Sequence, residues 1–327
     1  MRIGSIPEWR PFPAKLRFLS FPMAKQGKLQ TVLEYFVARL VLTTLGWLPM
    51  AVAISVGESL GSLAYRLAKG LRRTGERNVQ LAFPQKTQKE RDEIVLGCFR
   101  SLGRQLGVFS KFARSRAESL EKVFQISGLE HLERQKADDR GVLFFTAHLG
   151  AWELLPLCSS LRGSPLNVVV RRIDNPKIEK LVDSVRSRWG NQTVDKLSGG
   201  RQMIKALRAG EALGLLPDLN TLNDEAIFVD FFGVPAATNF MVAKLALRTK
   251  TPIMPMFAPW DEKLRKFIVQ ISPPVAVETT GDEEADVRNL TNTISRITEE
   301  KIRSYPDQWL WIHKRWKTRP AGEPSIY

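Results

Sequence analysis

From about residue 126 onward, short apolar runs alternate with amphipathic stretches, and few architectures accept that order. Gly141–Ala147, Leu166–Val170, Leu213–Leu216 and Pro252–Ala258 are compact apolar runs, as expected of buried strands. Ile227–Phe232 and Phe267–Ile271 read as further extended segments. Between and after them, Ala151–Leu161, Pro176–Trp189, Gly199–Ala209, Asn239–Arg248 and Glu283–Arg303 read as helices; in the second of these, Ile178, Leu181, Val182, Val185 and Trp189 share one face. The alternation predicts an α/β fold, with a mixed sheet flanked by helices. At 327 residues the chain buries enough surface to need no disulfide or metal staple, and Cys98 and Cys158 are too few for a disulfide framework.

Upstream the pattern differs. Residues 1–32 carry Pro7, Pro11, Pro13 and Pro22 among basic and aromatic residues, which predicts an irregular arm, with Trp9, Phe12, Phe18 and Phe21 able to touch a membrane surface. Residues 33–70 predict a membrane-associated helical segment. Phe36–Val56 contains a single charge, Arg39, and has about the length of a hydrocarbon core. Pro49 interrupts it, and basic residues flank both ends, so a span, an interfacial helix and a buried hairpin all remain open. Arg91–Phe112 is amphipathic, and residues 71–327 are expected to form the α/β domain. Forty-nine Lys and Arg against 34 Asp and Glu leave a net charge of +15, which suits nucleic acid, anionic headgroups or an acidic protein. No nucleic-acid motif accompanies the charge, and such a partner leaves the apolar segment unexplained.

The chemistry gathers in His148-Leu-Gly-Ala-Trp-Glu153, where the strand 141–147 ends. Sites in α/β sheets collect at the carboxyl ends of strands. On a continuous helix, positions five apart point about 140° away from each other. His148 and Glu153 meet only if the chain bends between them, and Gly150 permits that bend. Glu153 would then accept a hydrogen bond from the ring and leave the other nitrogen free to take a proton. The alternative is a helix-capping histidine with a solvated glutamate. HExxH, Walker A and GxGxxG patterns are all absent, and no metal site is expected.

His148 to Glu153 resembles the H-x4-D/E motif of the glycerolipid acyltransferases. Several further blocks follow in the order found in the bacterial lipid A late acyltransferases, the lauroyl and myristoyl transferase family. Val169-Val-Arg-Arg-Ile-Asp-Asn-Pro176 is similar to that family's V-Y-R-x-x-x-N-P. Gly214–Asp218 followed by Phe231-Phe-Gly-Val-Pro235 and Thr238 resembles its D-Q…F-F-G-x-P-A-x-T block. Trp309–Pro320 is similar to its W-L-W-x-H-x-R-x-K-T-R-P ending. Leu219 stands where the family has Gln after Asp, and Val170 where it has Tyr.

The resemblance implies transfer of a fatty acyl chain from acyl carrier protein to a hydroxyl on a lipid A precursor, at the cytoplasmic face of a bacterial inner membrane, with no cofactor. In that reading His148 is the general base and Glu153 orients it. Arg171 and Arg172 bind a substrate phosphate or the oxyanion, Asp218 belongs to the site, and Phe232 and Gly233 shape it near the acyl chain. The competing readings are an acyl-CoA-dependent transferase acting on another glycolipid, such as a phosphatidylinositol mannoside, and a membrane lipid-binding protein without activity. For Trp309, Trp311 and Trp316, a headgroup interface and a packed terminal strand stay open; His313 is expected to be structural.

Overall fold

A computed structural model describes residues 27–137, 141–222 and 226–327. Most of the expected irregular arm, through residue 26, lies outside the described residues. The apolar segment is two helices, α1 (Lys28–Trp47) and α2 (Met50–Leu67), separated at Leu48-Pro49. Proline lacks the N–H that a continuous helix requires, so the break falls where Pro49 interrupts the apolar run. No helix among the described residues is long and apolar enough to cross a membrane. Next come α3 (Lys69–Ala82) and α4 (Gln88–Phe112), the latter opened by a capping box between Thr87 and Glu90.

The small helix α5 (Ala117–Glu121) leads into β1 (Phe124–Ser127), α6 (Leu129–Ala137) and β2 (Val142–Phe145). After α7 (Leu154–Leu161), β3 (Leu166–Val170), α8 (Pro176–Arg186), β4 (Gln192–Asp195), α9 (Gly200–Arg208) and β5 (Ala212–Leu215) follow in alternation. A hairpin of β6 (Ala226–Phe231) and β7 (Val234–Asn239) precedes α10 (Met241–Thr249), β8 (Ile253–Phe257), β9 (Trp260–Asp261), β10 (Lys266–Ile271) and α11 (Glu283–Ser304). The main sheet runs β1-β10-β8-β2-β5-β3-β4, with β9 paired to β10. From β8 to β4 neighbouring strands are parallel; β10 is antiparallel to β8. This is the expected mixed α/β sheet. β1, β4 and β7 had no apolar run to announce them: QTVD and VPAATN are strands because neighbours supply their hydrogen bonds.

The two faces of the sheet build two cores. Leu143 and Phe145 point toward α9, α10, α11 and the first half of α4, while Val142 and Phe144 point toward α7 and the end of α4. α2 lies against α4 along glycines: a Cβ on Gly57 would run into the Gly103 carbonyl, and one on Gly103 into the Gly57 carbonyl. At the end of α1, the Lys111 ammonium donates to the carbonyls of Gly46 (2.7 Å) and Leu48 (2.5 Å), supplying a cation where the helix leaves its carbonyls unpaired. The Asn175-Pro176 pair is structural. The Asn175 side chain caps α8, Pro176 takes its first position, and the Asn175 amide donates to the Thr31 carbonyl and the Glu34 carboxylate, docking α1.

Candidate active site

β2 and β5 are adjacent and parallel, with Phe145 in register with Leu215. The positions three residues beyond each partner, His148 and Asp218, therefore emerge side by side at the carboxyl edge of the sheet. Asp218 Oδ1 lies 2.9 Å from His148 Nδ1, and Oδ2 accepts from the His148 backbone N–H at 2.8 Å and from Trp309 Nε1–H, also at 2.8 Å. The Asp218 side chain is fully buried, while 22% of the His148 side chain is exposed. Burial alone would push the Asp218 carboxyl up. The adjacent His148 and three hydrogen bonds outweigh it and hold the group below the usual carboxylate range. With Nδ1–H given to Asp218, Nε2 carries the free lone pair. His148 is thus arranged as a proton acceptor beside a carboxylate that stabilises the imidazolium.

The bend expected at Gly150 is present, with φ +62°, and a side chain there would collide with the Ala258 carbonyl. The expected contact between Glu153 and His148 is not made. Glu153 sits just before α7 as anticipated, but its carboxylate takes two hydrogen bonds from Arg186 of α8, Nε to Oε2 at 2.9 Å and Nη2 to Oε1 at 2.5 Å. A guanidinium offers two parallel N–H groups that match a carboxylate, and Asp218 already occupies the ring nitrogen. Both partners of the pair are 17% exposed. Glu153→Ala is therefore expected to cost about 3 kcal/mol of stability by leaving the Arg186 charge buried and unpaired. Denaturation of the two single alanine variants and the double variant checks this: the double should cost clearly less than the sum, and strict additivity would show that the pair contributes nothing.

Arg171 and Arg172 follow β3, so they lie on the same edge of the sheet as His148. The Arg171 side chain is 73% exposed, with Asp174 at 3.8 Å; Arg172 is held by Glu179 and Asp195. Phe232 and Gly233 form the turn of the β6–β7 hairpin, both with positive φ. The Phe232 ring is buried against Phe83 and Trp311, and its N–H is accepted by Glu299, while Gly233 is exposed.

The three tryptophans of the carboxyl-terminal block are completely buried, which overturns the headgroup-interface reading of their rings. The packed-strand alternative is only half right, since the segment is a series of turns. Its order comes from side chains. Asn78 donates to the carbonyls of Trp311 and His313, Arg315 donates to the Ala237 carbonyl and Thr238 Oγ1, and Thr318 bonds with Asn220 in the loop that carries Asp218. Burial, with His148 nearby, pushes His313 down to about 4, so it is neutral at pH 7. Among the described residues, no group of three or more His, Cys, Asp or Glu is placed to hold a metal ion.

The sequence profile of the family described as bacterial lipid A biosynthesis acyltransferase matches residues 23–318. A lipid A biosynthesis acyltransferase of Haemophilus influenzae is 31% identical over 292 residues, 86% of this chain and 89% of the relative. The lipid A biosynthesis lauroyltransferase of Escherichia coli K12 is 29% identical over 289 residues, covering 86% and 90%. The lipid A biosynthesis palmitoleoyltransferase of the same organism is 28% identical over 326 residues, covering 94% and 99%.

Proposed function

Because the chain belongs to the bacterial lipid A biosynthesis acyltransferase family, we propose that it transfers a fatty acyl chain from acyl carrier protein to the hydroxyl of a 3-hydroxyacyl chain on a lipid A precursor. The observation that carries this reading is the hydrogen-bonded His148–Asp218 pair at the carboxyl edge of the sheet. A free hydroxyl is a poor nucleophile near neutral pH, so a base must take its proton during attack. His148 Nε2 accepts that proton as the hydroxyl oxygen bonds to the thioester carbonyl carbon. The tetrahedral intermediate then collapses, the C–S bond breaks, and the imidazolium returns the proton to the leaving thiolate. Asp218 stabilises the imidazolium between the two transfers. Arg171, the more exposed of the two arginines beyond β3, binds a phosphate of the acceptor. Glu153 acts through its pair with Arg186, which fixes the start of α7 just after the His148 bend. The net charge of +15 suits both an acidic carrier protein and a phosphorylated lipid.

The helical segment of residues 33–70 is read as the membrane contact. On α1, Leu33, Phe36 and Leu40 are each more than half exposed, and on α2 Val52, Val56 and Leu60 form an outward stripe at four-residue spacing. Lys28 and Arg39 belong to α1 and Arg66 to α2, and Lys69 opens α3. Apolar stripes with flanking cations suit helices lying in the headgroup plane of an anionic leaflet. Wild-type protein is expected to float with vesicles containing phosphatidylglycerol, and a Leu33→Asp, Phe36→Asp, Leu40→Asp variant with unchanged melting should stay at the bottom of the gradient. Equal flotation of the two proteins would move the membrane contact elsewhere.

The function itself is tested by mass spectrometry of a tetra-acylated lipid A precursor incubated with purified enzyme and acyl carrier proteins bearing several chain lengths, with acyl-CoA in parallel. One added acyl chain, dependent on the carrier protein, is the expected result. Product from acyl-CoA alone would overturn the donor assignment, and no product from either donor would overturn the acceptor assignment.

A further inference from the structure

The family pattern that this chain resembles places a glutamine beside the aspartate; here Leu219 has no polar atom to offer. Asp218 nonetheless sits in a fixed orientation, because two N–H groups converge on Oδ2 and leave Oδ1 to the imidazole. One is the backbone of His148. The other is the indole of Trp309, which lies 91 residues along the chain from Asp218.

The indole is itself held rigidly. Trp309 is fully buried, its ring is edge-on to Trp311 at a centroid distance of 4.7 Å and 88°, and it contacts Phe231 at 5.7 Å. Its backbone bridges Leu149, and the next N–H, that of Leu310, donates to the His148 carbonyl at 3.0 Å. The Trp309-Leu310 segment is therefore tied by main chain to the loop after β2 and by the Trp309 side chain to the loop after β5. Without the indole, Oδ2 keeps the His148 main-chain N–H as its one donor, the carboxylate is held less firmly against the ring, and the tautomer of His148 is then no longer unique.

We propose that Trp309 is a positioning residue for acyl transfer: its indole N–H locks the Asp218 carboxylate so that His148 keeps its proton on Nδ1 and presents Nε2 to the acceptor hydroxyl. This rests on the role assigned to His148 above. The experiment compares wild-type enzyme with Trp309→Phe and with an enzyme carrying 3-benzothienylalanine at position 309, which replaces the indole N–H by sulfur at nearly constant shape. Carrier-protein-dependent turnover is measured beside nitrogen-15 NMR of the imidazoles, of which the chain has three. In the isosteric variant kcat should fall about 10-fold or more, KM for the acyl donor should hold, and the His148 resonances should lose their single Nδ1–H tautomer. Wild-type kcat and an unchanged tautomer in the folded isosteric variant would overturn the proposal and reduce Trp309 to packing. If wild-type enzyme itself transfers nothing, the acyltransfer reading fails, while the tautomer measurement still decides whether Trp309 positions His148 through Asp218.

Discussion

An Asp218→Asn enzyme is expected to lose about 10^3-fold or more in acyl-transfer turnover while remaining folded, as much as His148→Ala loses. The reason lies in donor counting. Asp218 Oδ2 faces two donors, the His148 main-chain N–H and the Trp309 indole N–H, so the asparagine turns its carbonyl oxygen toward them. Its amide N–H then points at His148 Nδ1, which must become an acceptor, and the ring proton moves to Nε2. The base is thereby lost with no change of shape. The transfer assay with both variants checks this, with circular dichroism and melting as the folding control. An Asp218→Asn enzyme retaining a tenth of wild-type turnover would remove Asp218 from the mechanism. The same pair has a pH consequence. The folded Asp218 carboxyl lies below its ordinary range, so its contribution to stability is complete above that range and is lost as pH falls through the folded value.

The second large effect is structural. Gly103→Val should destabilise the protein by about 3 kcal/mol or more, because α2 and α4 touch backbone to backbone at that position and a side chain can be admitted only by moving a helix. Thermal unfolding should show the loss directly. The variant is also expected to lose vesicle flotation, since α2 carries part of the apolar face. Wild-type melting for Gly103→Val would mean that the close approach is not required. Gly70, whose Cβ would meet nothing within 4 Å, supplies the control: Gly70→Ala should leave melting unchanged or raise it slightly.

Much of this protein is determined by sequence alone, wherever the information is local. The buried strands β2, β3, β5 and β8 are legible as apolar runs, and α8 as a proline-started amphipathic helix. The break at Pro49 and the bend at Gly150 follow from the backbone chemistry of single residues. His148 stands out as a candidate base because it follows an apolar strand. The partner of His148 is a different matter. The sequence offers Glu153, five residues away, but the tertiary structure assigns Asp218, seventy residues away, because parallel pairing of β2 with β5 brings the two strand ends together. The available hints were the resemblance that includes Asp218 in the site and an acidic residue two positions beyond the apolar run Leu213–Leu216, and they become a contact only once strand order and register are known. Trp309 is further still from local inference: its ring reads equally as a surface anchor or as core until the packing around Asp218 shows where its one N–H points. Periodicity and backbone chemistry act over a few residues and can be read in one dimension. The pairing of a carboxylate with an imidazole, or of Glu153 with Arg186, depends on which strands and helices become neighbours, and only the folded chain decides that.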